Sequence, residues 1–179
     1  MPGRRWLRRF RPGVLALLLL AVVPARADVT RTDVQVAARA LSFVSNPLTG
    51  NIAVGIVYSK DSRQSVREAE TLDDLLAGGL RIGALEMRPV MVEVHDVENA
   101  EVDLFFLTEH VADGVLPGLT MDTAAPKLCV TTDIEKVRDG ACTIGVRSRP
   151  KVEVFVSRSA AAAGNVTFST VFRVMITEL

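Results

Sequence analysis

The stretch at residues 51–58 constrains the fold of this chain more than any other. Its side chains form two alternating sets, both apolar: Ile52, Val54 and Ile56 on one face, and Ala53, Gly55 and Val57 on the other. Because a strand places successive side chains on opposite faces, a strand here would be apolar on both. Such strands are buried on both sides, as in a parallel sheet covered by helices. The stretch therefore predicts an α/β domain.

Helical patterns flank this strand on both sides. Before it, four apolar residues share one helical face: Val34, Ala37, Leu41 and Val44. Thr30 or Thr32 is the candidate N-cap of that helix. A second helix is expected to begin near Ser62 and to stop at Gly78 and Gly79. Its apolar face comprises four residues: Val66, Ala69, Leu72 and Leu76.

The second half of the chain mixes strand and helix patterns. Further strands are expected at three places: residues 89–94, 102–107 and 128–131. A short helix at 134–137 precedes two strands, 142–146 and 151–156, whose separation is that of a hairpin. An amphipathic helix at 168–179 is expected to close the chain and dock on the domain. These elements predict a three-layer, single α/β domain with a mixed, mostly parallel sheet, helices on both faces, a C-terminal antiparallel hairpin and a docking helix.

The first 27 residues have the pattern of a cleavable secretory signal peptide. Five arginines precede an apolar run at 14–23, and Pro24 and the sequence Ala25-Arg26-Ala27 follow it. Ten residues of helix rise about 15 Å, too short to cross a hydrocarbon core of about 30 Å. We therefore expect Sec-type export, cleavage after Ala27, and a mature domain at 28–179 in the periplasm.

Removing the signal changes the charge of the chain. Six of the 21 basic residues and none of the 21 acidic residues lie in the first 27 positions, so the mature chain has a net charge of −6. That balance argues against nucleic acid or anionic lipid as a partner. No later stretch is long and apolar enough to span a membrane. The remaining 152 residues are the size of one ordinary domain.

The two cysteines, Cys129 and Cys142, enclose 12 residues and fall in successive expected strands. An even cysteine count in an exported protein favours a disulfide. Such a bond could hold the helix at 134–137 against the sheet, contributing about 3 kcal/mol in the chain-entropy model. A redox-sensing bond and two buried free thiols are the alternatives. The spacing is unlike that of thiol oxidoreductases.

Several expected strands end in a hydroxyl residue beside a charged one. The six residues of the candidate ligand pocket follow three of these strands: Ser59, Lys60, Thr108, Glu109, Thr132 and Asp133. Ligands of open α/β sheets bind beyond the carboxyl ends of parallel strands, so these side chains could line a pocket. The alternative is that they cap the helices that follow, since Ser, Thr and Asp are the preferred N-cap residues.

Motifs of catalysis are absent from the sequence. It has no nucleophile elbow, no phosphate-binding P-loop and no His-Glu-x-x-His metal motif. His95 and His110 could contribute to a metal site only if the fold brought them together, and surface or loop-end positions are expected instead. We therefore expect a non-enzymatic protein with no cofactor and no metal.

The residues at both ends of the mature chain resemble one family. The matching stretches near the C-terminus are residues 141–145, 152–156, 160–161 and 168–176. Near the N-terminus, residues 41–43 and 52–58 match as well, and the likeness is weakest at 84–125. On these residues the chain resembles the YfiR-like periplasmic proteins, mostly through hydrophobic packing positions.

The resemblance implies a periplasmic regulator that binds the periplasmic sensor domain of a membrane-bound diguanylate cyclase and represses it. The disulfide state is linked to control in that family, and this chain has cysteines for only one bridge. The alternative is a periplasmic small-molecule binding protein that uses the strand-end pocket. An exposed sheet edge would also permit a homodimer.

Overall fold

An eight-stranded mixed sheet organises residues 29–111 and 128–179, which are the residues described by this computed structural model. Its strands are β1 (Gly50–Tyr58), β2 (Leu80–Ile82), β3 (Leu85–Glu93), β4 (Leu104–Leu107), β5 (Leu128–Thr131), β6 (Ile144–Arg147), β7 (Glu153–Val156) and β8 (Thr177–Glu178). The α-helices are α1 (Arg31–Leu41), α2 (Arg63–Leu76), α3 (Ile134–Arg138), α4 (Arg158–Ala163) and α5 (Thr170–Arg173). A 3-10 helix at Val94–Asn99 follows β3. The expected signal peptide at 1–27 lies outside the described residues.

The strand order is β2-β3-β1-β4-β5-β6-β7-β8. The five strands from β3 to β6 in this order are mutually parallel, and β2 and β7 are antiparallel to their neighbours β3 and β6. Strand β1 pairs with β3 on one side and β4 on the other, and Val54, Ile56 and Val57 in it are fully buried. The predicted class, an α/β domain with a mixed, mostly parallel sheet, is confirmed.

Local sequence signals account for where the two longer helices begin. Thr30 is the N-cap of α1, and it forms a reciprocal capping box with Asp33. Ser62 is the N-cap of α2 and accepts a hydrogen bond from the Ser65 N–H. Helix α2 ends at Leu76, shortly before Gly79, whose positive φ of 71° suits glycine.

Apolar side chains of the described residues form two buried clusters. One includes the buried faces of α1 and α2, and its members include Leu41, Leu72 and Ile56 of β1. The other contains Phe105, Val97 of the 3-10 helix and both cysteines. This division follows from β1 and β4, whose alternating side chains are apolar on both faces.

The closing segment, residues 168–179, differs from the docking helix that the sequence predicts. Only Thr170–Arg173 is helical, and residues 177–178 form β8 instead, paired in parallel with β7. The N–H of Leu179 donates to the Val156 carbonyl, so the end of the chain completes the sheet. The segment still docks through Phe172, which is buried and stacks on Phe43 with ring centroids 4.8 Å apart.

The hairpin of β6 and β7 is present as predicted. Its second strand lies next to the sheet edge, where only the two-residue β8 is outside it. Exposure does not alternate along β7 but falls steadily, from the half-buried Glu153 and Val154 to the buried Phe155 and Val156. The closing helix is short because β7 offers an unpaired edge to the end of the chain, and the β-branched residues at 170, 171, 174, 176 and 177 are compatible with extended backbone there.

Candidate functional site

The carboxyl ends of β1, β4 and β5 lie side by side at one edge of the sheet. Val57 pairs with Leu107, and Leu107 pairs with Thr131, so the residues that follow these strands come together. Strand β3 lies on one side of β1 and β4 lies on the other, so the order in which the chain adds strands to the sheet reverses between β1 and β4. Open α/β sheets bind ligands at such a switch point. This edge is the first candidate site.

A buried hydroxyl pair occupies the point of reversal. The Thr108 hydroxyl donates to the Val57 carbonyl at 3.1 Å, and its oxygen lies 2.7 Å from Ser65 Oγ. Ser65 Oγ also accepts a hydrogen bond from the Ser59 N–H at 2.9 Å. Ser65 and Thr108 are both fully buried. Thr108 therefore joins α2 to the sheet and is not among the residues that line the two cavities beside α1.

Glu68 of α2 lies at the centre of the remaining polar residues. Its side chain is only 10% exposed, and its carboxylate accepts hydrogen bonds from the Glu109 N–H at 2.8 Å and the Thr132 hydroxyl at 3.5 Å. His110 Nδ1 lies 3.9 Å from the same carboxylate. The cluster thus joins α2 to the loops after β4 and β5.

No sequence pattern indicated Glu68, because it lies outside the apolar positions that defined the helix. Its spacing of three residues from Ser65 places both side chains on one helical face, and this is the signal that could have found it. His95, by contrast, is exposed in the 3-10 helix, and its N–H donates to the Glu93 carboxylate. The two histidines therefore have separate surroundings.

The capping alternative holds for part of the predicted pocket. Asp133 is the N-cap of α3 and accepts a hydrogen bond from the Glu135 N–H. Ser157 caps α4 in the same way. Lys60 is exposed in the turn before α2, and no hydrogen bond joins it to the described residues around Glu68.

A small cavity of about 110 Å³ opens beside the Glu68 cluster. Of the six predicted pocket residues only Glu109 and Thr132 line it, together with α1 and residues 146–149. Asp33 in its wall accepts hydrogen bonds from the Ser148 N–H at 2.8 Å and the Thr30 N–H at 2.9 Å. Ligand pockets usually enclose about 300–1,000 Å³, so this cavity suits at most a very small molecule.

A larger groove, of about 340 Å³, lies between α1 and the closing segment. Phe43, Phe172 and Val154 contribute apolar surface to it, and Val152 and Met175 also line it. The polar lining consists of three residues on one side of α1: Thr32, Gln35 and Arg39. No sequence pattern predicted this groove, since it exists only because residues 174–179 leave the helix and join the sheet.

Ion pairs lie on the surface of the hairpin next to the groove. Glu153 of β7 contacts Lys151 at 2.8 Å and Arg147 at 2.5 Å. The hydrogen bond from Lys151, followed by that from Arg147, holds the pKa of the Glu153 carboxyl below its ordinary value. At the other end of the sheet, hydrogen bonds from Arg81 and then Arg88 lower the pKa of Glu86 in the same way.

Cys129 and Cys142 form a disulfide, with Cα atoms 5.1 Å apart. The bond joins β5 to the residue pair before β6 and encloses α3, as the structural interpretation predicted. Both cysteines are fully buried, and the described residues include no free thiol. The bonded state is compatible with an oxidising compartment.

No protein-family model and no functionally curated protein matches this chain significantly. The YfiR-like resemblance therefore stays a prediction. Across 29–111 and 128–179, no helix is long and apolar enough to cross a membrane. Within the same ranges, no three or more His, Cys, Asp or Glu side chains are grouped to hold a metal ion.

Proposed function

We propose that this protein is an exported, non-enzymatic regulator that binds the periplasmic sensor domain of a membrane signalling protein and represses it. One observation carries the proposal. Six large apolar side chains are strongly exposed among the described residues, and four of them belong to the last third of the domain: Val152, Val171, Val174 and Met175, at 58–81% exposure. A concentration of exposed apolar surface marks an interaction site.

Repression of this kind needs no catalytic group. A regulator shifts its partner between two states only by binding one of them more tightly than the other. The family likeness points to a diguanylate cyclase as the partner.

The proposed compartment is the periplasm. The signal-like pattern at 1–27 and a buried disulfide both support export to an oxidising space. The net charge of −6 expected for the mature chain supports a protein partner over a nucleic acid.

A small-molecule binding protein is the second candidate function. The groove favours it more than the strand-end pocket does, because about 340 Å³ falls within the usual range of ligand sites. A thermal-shift screen of the mature domain separates the two functions. A small molecule that binds tightly raises the melting temperature by mass action, whereas a purely protein-binding regulator gives no such shift.

The decisive experiment is a pull-down from detergent-solubilised membranes of the source cell. The mature domain should carry its tag at the N-terminus, because the Leu179 N–H donates to Val156 of β7 and the Leu179 carbonyl accepts from the Arg158 N–H at the start of α4. We expect capture of a membrane protein with a periplasmic sensor domain, and a rise in cellular cyclic di-GMP when the gene is deleted. Capture of no membrane protein, with unchanged cyclic di-GMP, would overturn the proposal.

A further inference from the structure

We propose that the groove between α1 and the closing segment receives an amphipathic helix of the partner protein, with a carboxylate of that helix paired to Arg39. This inference rests on the proposed function and names the binding surface and the chemistry of its occupant. It is carried by the shape of the groove, by the distribution of its polar residues and by one cation.

The inner surface of the groove is apolar and firmly supported. Phe172 stacks on Phe43 with an angle of 9° between the ring planes, and Phe168 lies against Phe172 at 5.4 Å. Val154 of β7 and Ile176 extend this surface along the sheet. Side chains held in this way are already positioned, so little ordering is needed when an apolar partner binds.

The side of the groove formed by α1 is about two helical turns long. Thr32, Gln35 and Arg39 lie at positions i, i+3 and i+7 of α1, so they form a stripe along one helical face. Seven residues of helix rise about 10 Å, which is two turns. A helical ligand presents its anchoring side chains over the same two turns, at i, i+3 or i+4, and i+7.

Arg39 gives the groove its charge preference. It is exposed, and it forms no ion pair with any residue in the described ranges. Two nearby arginines are paired, Arg147 with Glu153 and Arg173 with Glu178, whereas Arg39 is the one charged residue among those that line the groove. Arg39 is therefore the cation that a ligand in the groove would meet, and a carboxylate is its complement.

The opposite side of the groove provides the apolar contacts that a partner would cover. Val152 and Met175 line it and are each 58% exposed. Val174 precedes Met175 and is 81% exposed. Covering such side chains removes apolar area from water, which is the main favourable term in association.

The test compares matched variants of the disulfide-bonded mature domain in the same membrane pull-down. Met175→Asp places a charge in the groove, and Met91→Asp places the same charge on β3, at an exposed methionine at the far end of the sheet. Arg39→Glu reverses the unpaired cation, and Arg63→Glu is its control at the exposed start of α2. Melting temperatures of all four variants establish that they are folded.

We expect Met175→Asp to weaken binding to the captured protein's isolated periplasmic domain by about tenfold or more, and the two control variants to bind as the wild type does. Arg39→Glu should also weaken binding, and a Lys in place of the contacted acidic residue of the partner helix should restore it. A partner captured equally by all variants would overturn this inference and leave the proposed function standing. Failure of the wild type to capture any membrane protein would overturn both.

A second copy of this chain is the alternative occupant. Sedimentation equilibrium of the wild type distinguishes it, because a groove kept free for a partner helix predicts a monomer at micromolar concentration. A dimer that Met175→Asp dissociates and Met91→Asp does not would place a second copy in the groove and overturn the helix proposal.

Discussion

The side-chain oxygens of Ser65 and Thr108 lie 2.7 Å apart, and this contact fixes the start of α2 to the end of β4. Both residues are fully buried, and they are 43 positions apart in the chain. The pair occupies the place where the strand order reverses, which in open α/β sheets is often left to a ligand. In this protein the position is used for packing, and the larger groove lies elsewhere.

Removing one hydroxyl of this pair should destabilise the protein. Ser65→Ala leaves the Ser59 N–H without its acceptor and the buried Thr108 hydroxyl with only its bond to the Val57 carbonyl, which should cost about 1–3 kcal/mol of unfolding free energy. Urea unfolding measures the effect. Ser45→Ala, at an exposed serine, is the control and should change stability by less than about 0.5 kcal/mol. Equal stability of both variants would contradict the assigned hydrogen bonds.

The disulfide should behave as a structural bond. Replacing both Cys129 and Cys142 with Ala should lower the unfolding free energy by about 3 kcal/mol. Because both residues are fully buried, a millimolar reductant should not reach the bond in the folded protein. Mass spectrometry after alkylation, with and without urea, measures this. Rapid reduction of the folded form without urea would instead identify the bond as a switch.

Gly145 should not tolerate a side chain. A Cβ atom at this position would lie 2.7 Å from Val137 Cγ2 and 2.9 Å from Ile134 Cδ1, so α3 would have to move away from β6. Gly145→Ala should cost about 1–3 kcal/mol, measured by thermal or urea unfolding. Gly78→Ala is the matched control, since no atom lies within 4 Å of its added Cβ, and it should be neutral or slightly stabilising.

The closing segment makes a direct comparison possible between neighbouring residues. Phe172→Ala removes a buried ring that stacks on Phe43, and it should cost about 3–5 kcal/mol. Val171→Ala changes a side chain that is 67% exposed, and it should stay within about 0.5 kcal/mol of the wild type. Comparable losses in the two variants would contradict the exposed position of Val171.

Glu153 should make stability depend on pH in the acid range. Lys151 and Arg147 lower the pKa of its carboxyl in the folded protein, so the ionised form favours folding. This contribution is present above the unfolded pKa of about 4.3 and is lost as the pH falls through the lower folded pKa. Glu153→Gln should make the urea midpoint depend less on pH below about pH 5, whereas Glu101→Gln, at an exposed residue, should leave that pH dependence unchanged. Parallel pH profiles of wild type and Glu153→Gln would refute this.

Short-range patterns predicted much of the fold. The two-sided apolar pattern of β1 placed it inside a parallel sheet, and Thr30 and Ser62 marked the starts of α1 and α2. Strand β5 has the predicted bounds. Strand β2 escaped prediction because three residues carry too little periodicity, and the alanine-rich α4 has no amphipathic pattern to detect.

The candidate site was less predictable, because its contacts join distant parts of the chain. Glu68 receives its hydrogen bonds from Glu109, 41 residues away, and from Thr132, 64 residues away. Of the predicted pocket residues, Glu109 and Thr132 meet at a cavity, whereas Asp133 caps a helix. Side chains of the same type therefore serve different roles, and the choice between them depends on what the fold places nearby.

The sequence by itself determined the α/β class, the starts of the longer helices and the cysteine pair available for a bond. These features depend on periodicity, capping and composition, which act over a few residues. The tertiary structure alone decided that the closing segment would end as a strand, because β7 offered an unpaired edge to a stretch rich in β-branched residues. That pairing exposes Val174 and Met175 beside α1 and creates the groove. No local sequence pattern predicts the pairing of β7 with β8, since its stabilising energy comes from backbone hydrogen bonds and apolar contacts between residues far apart in the chain.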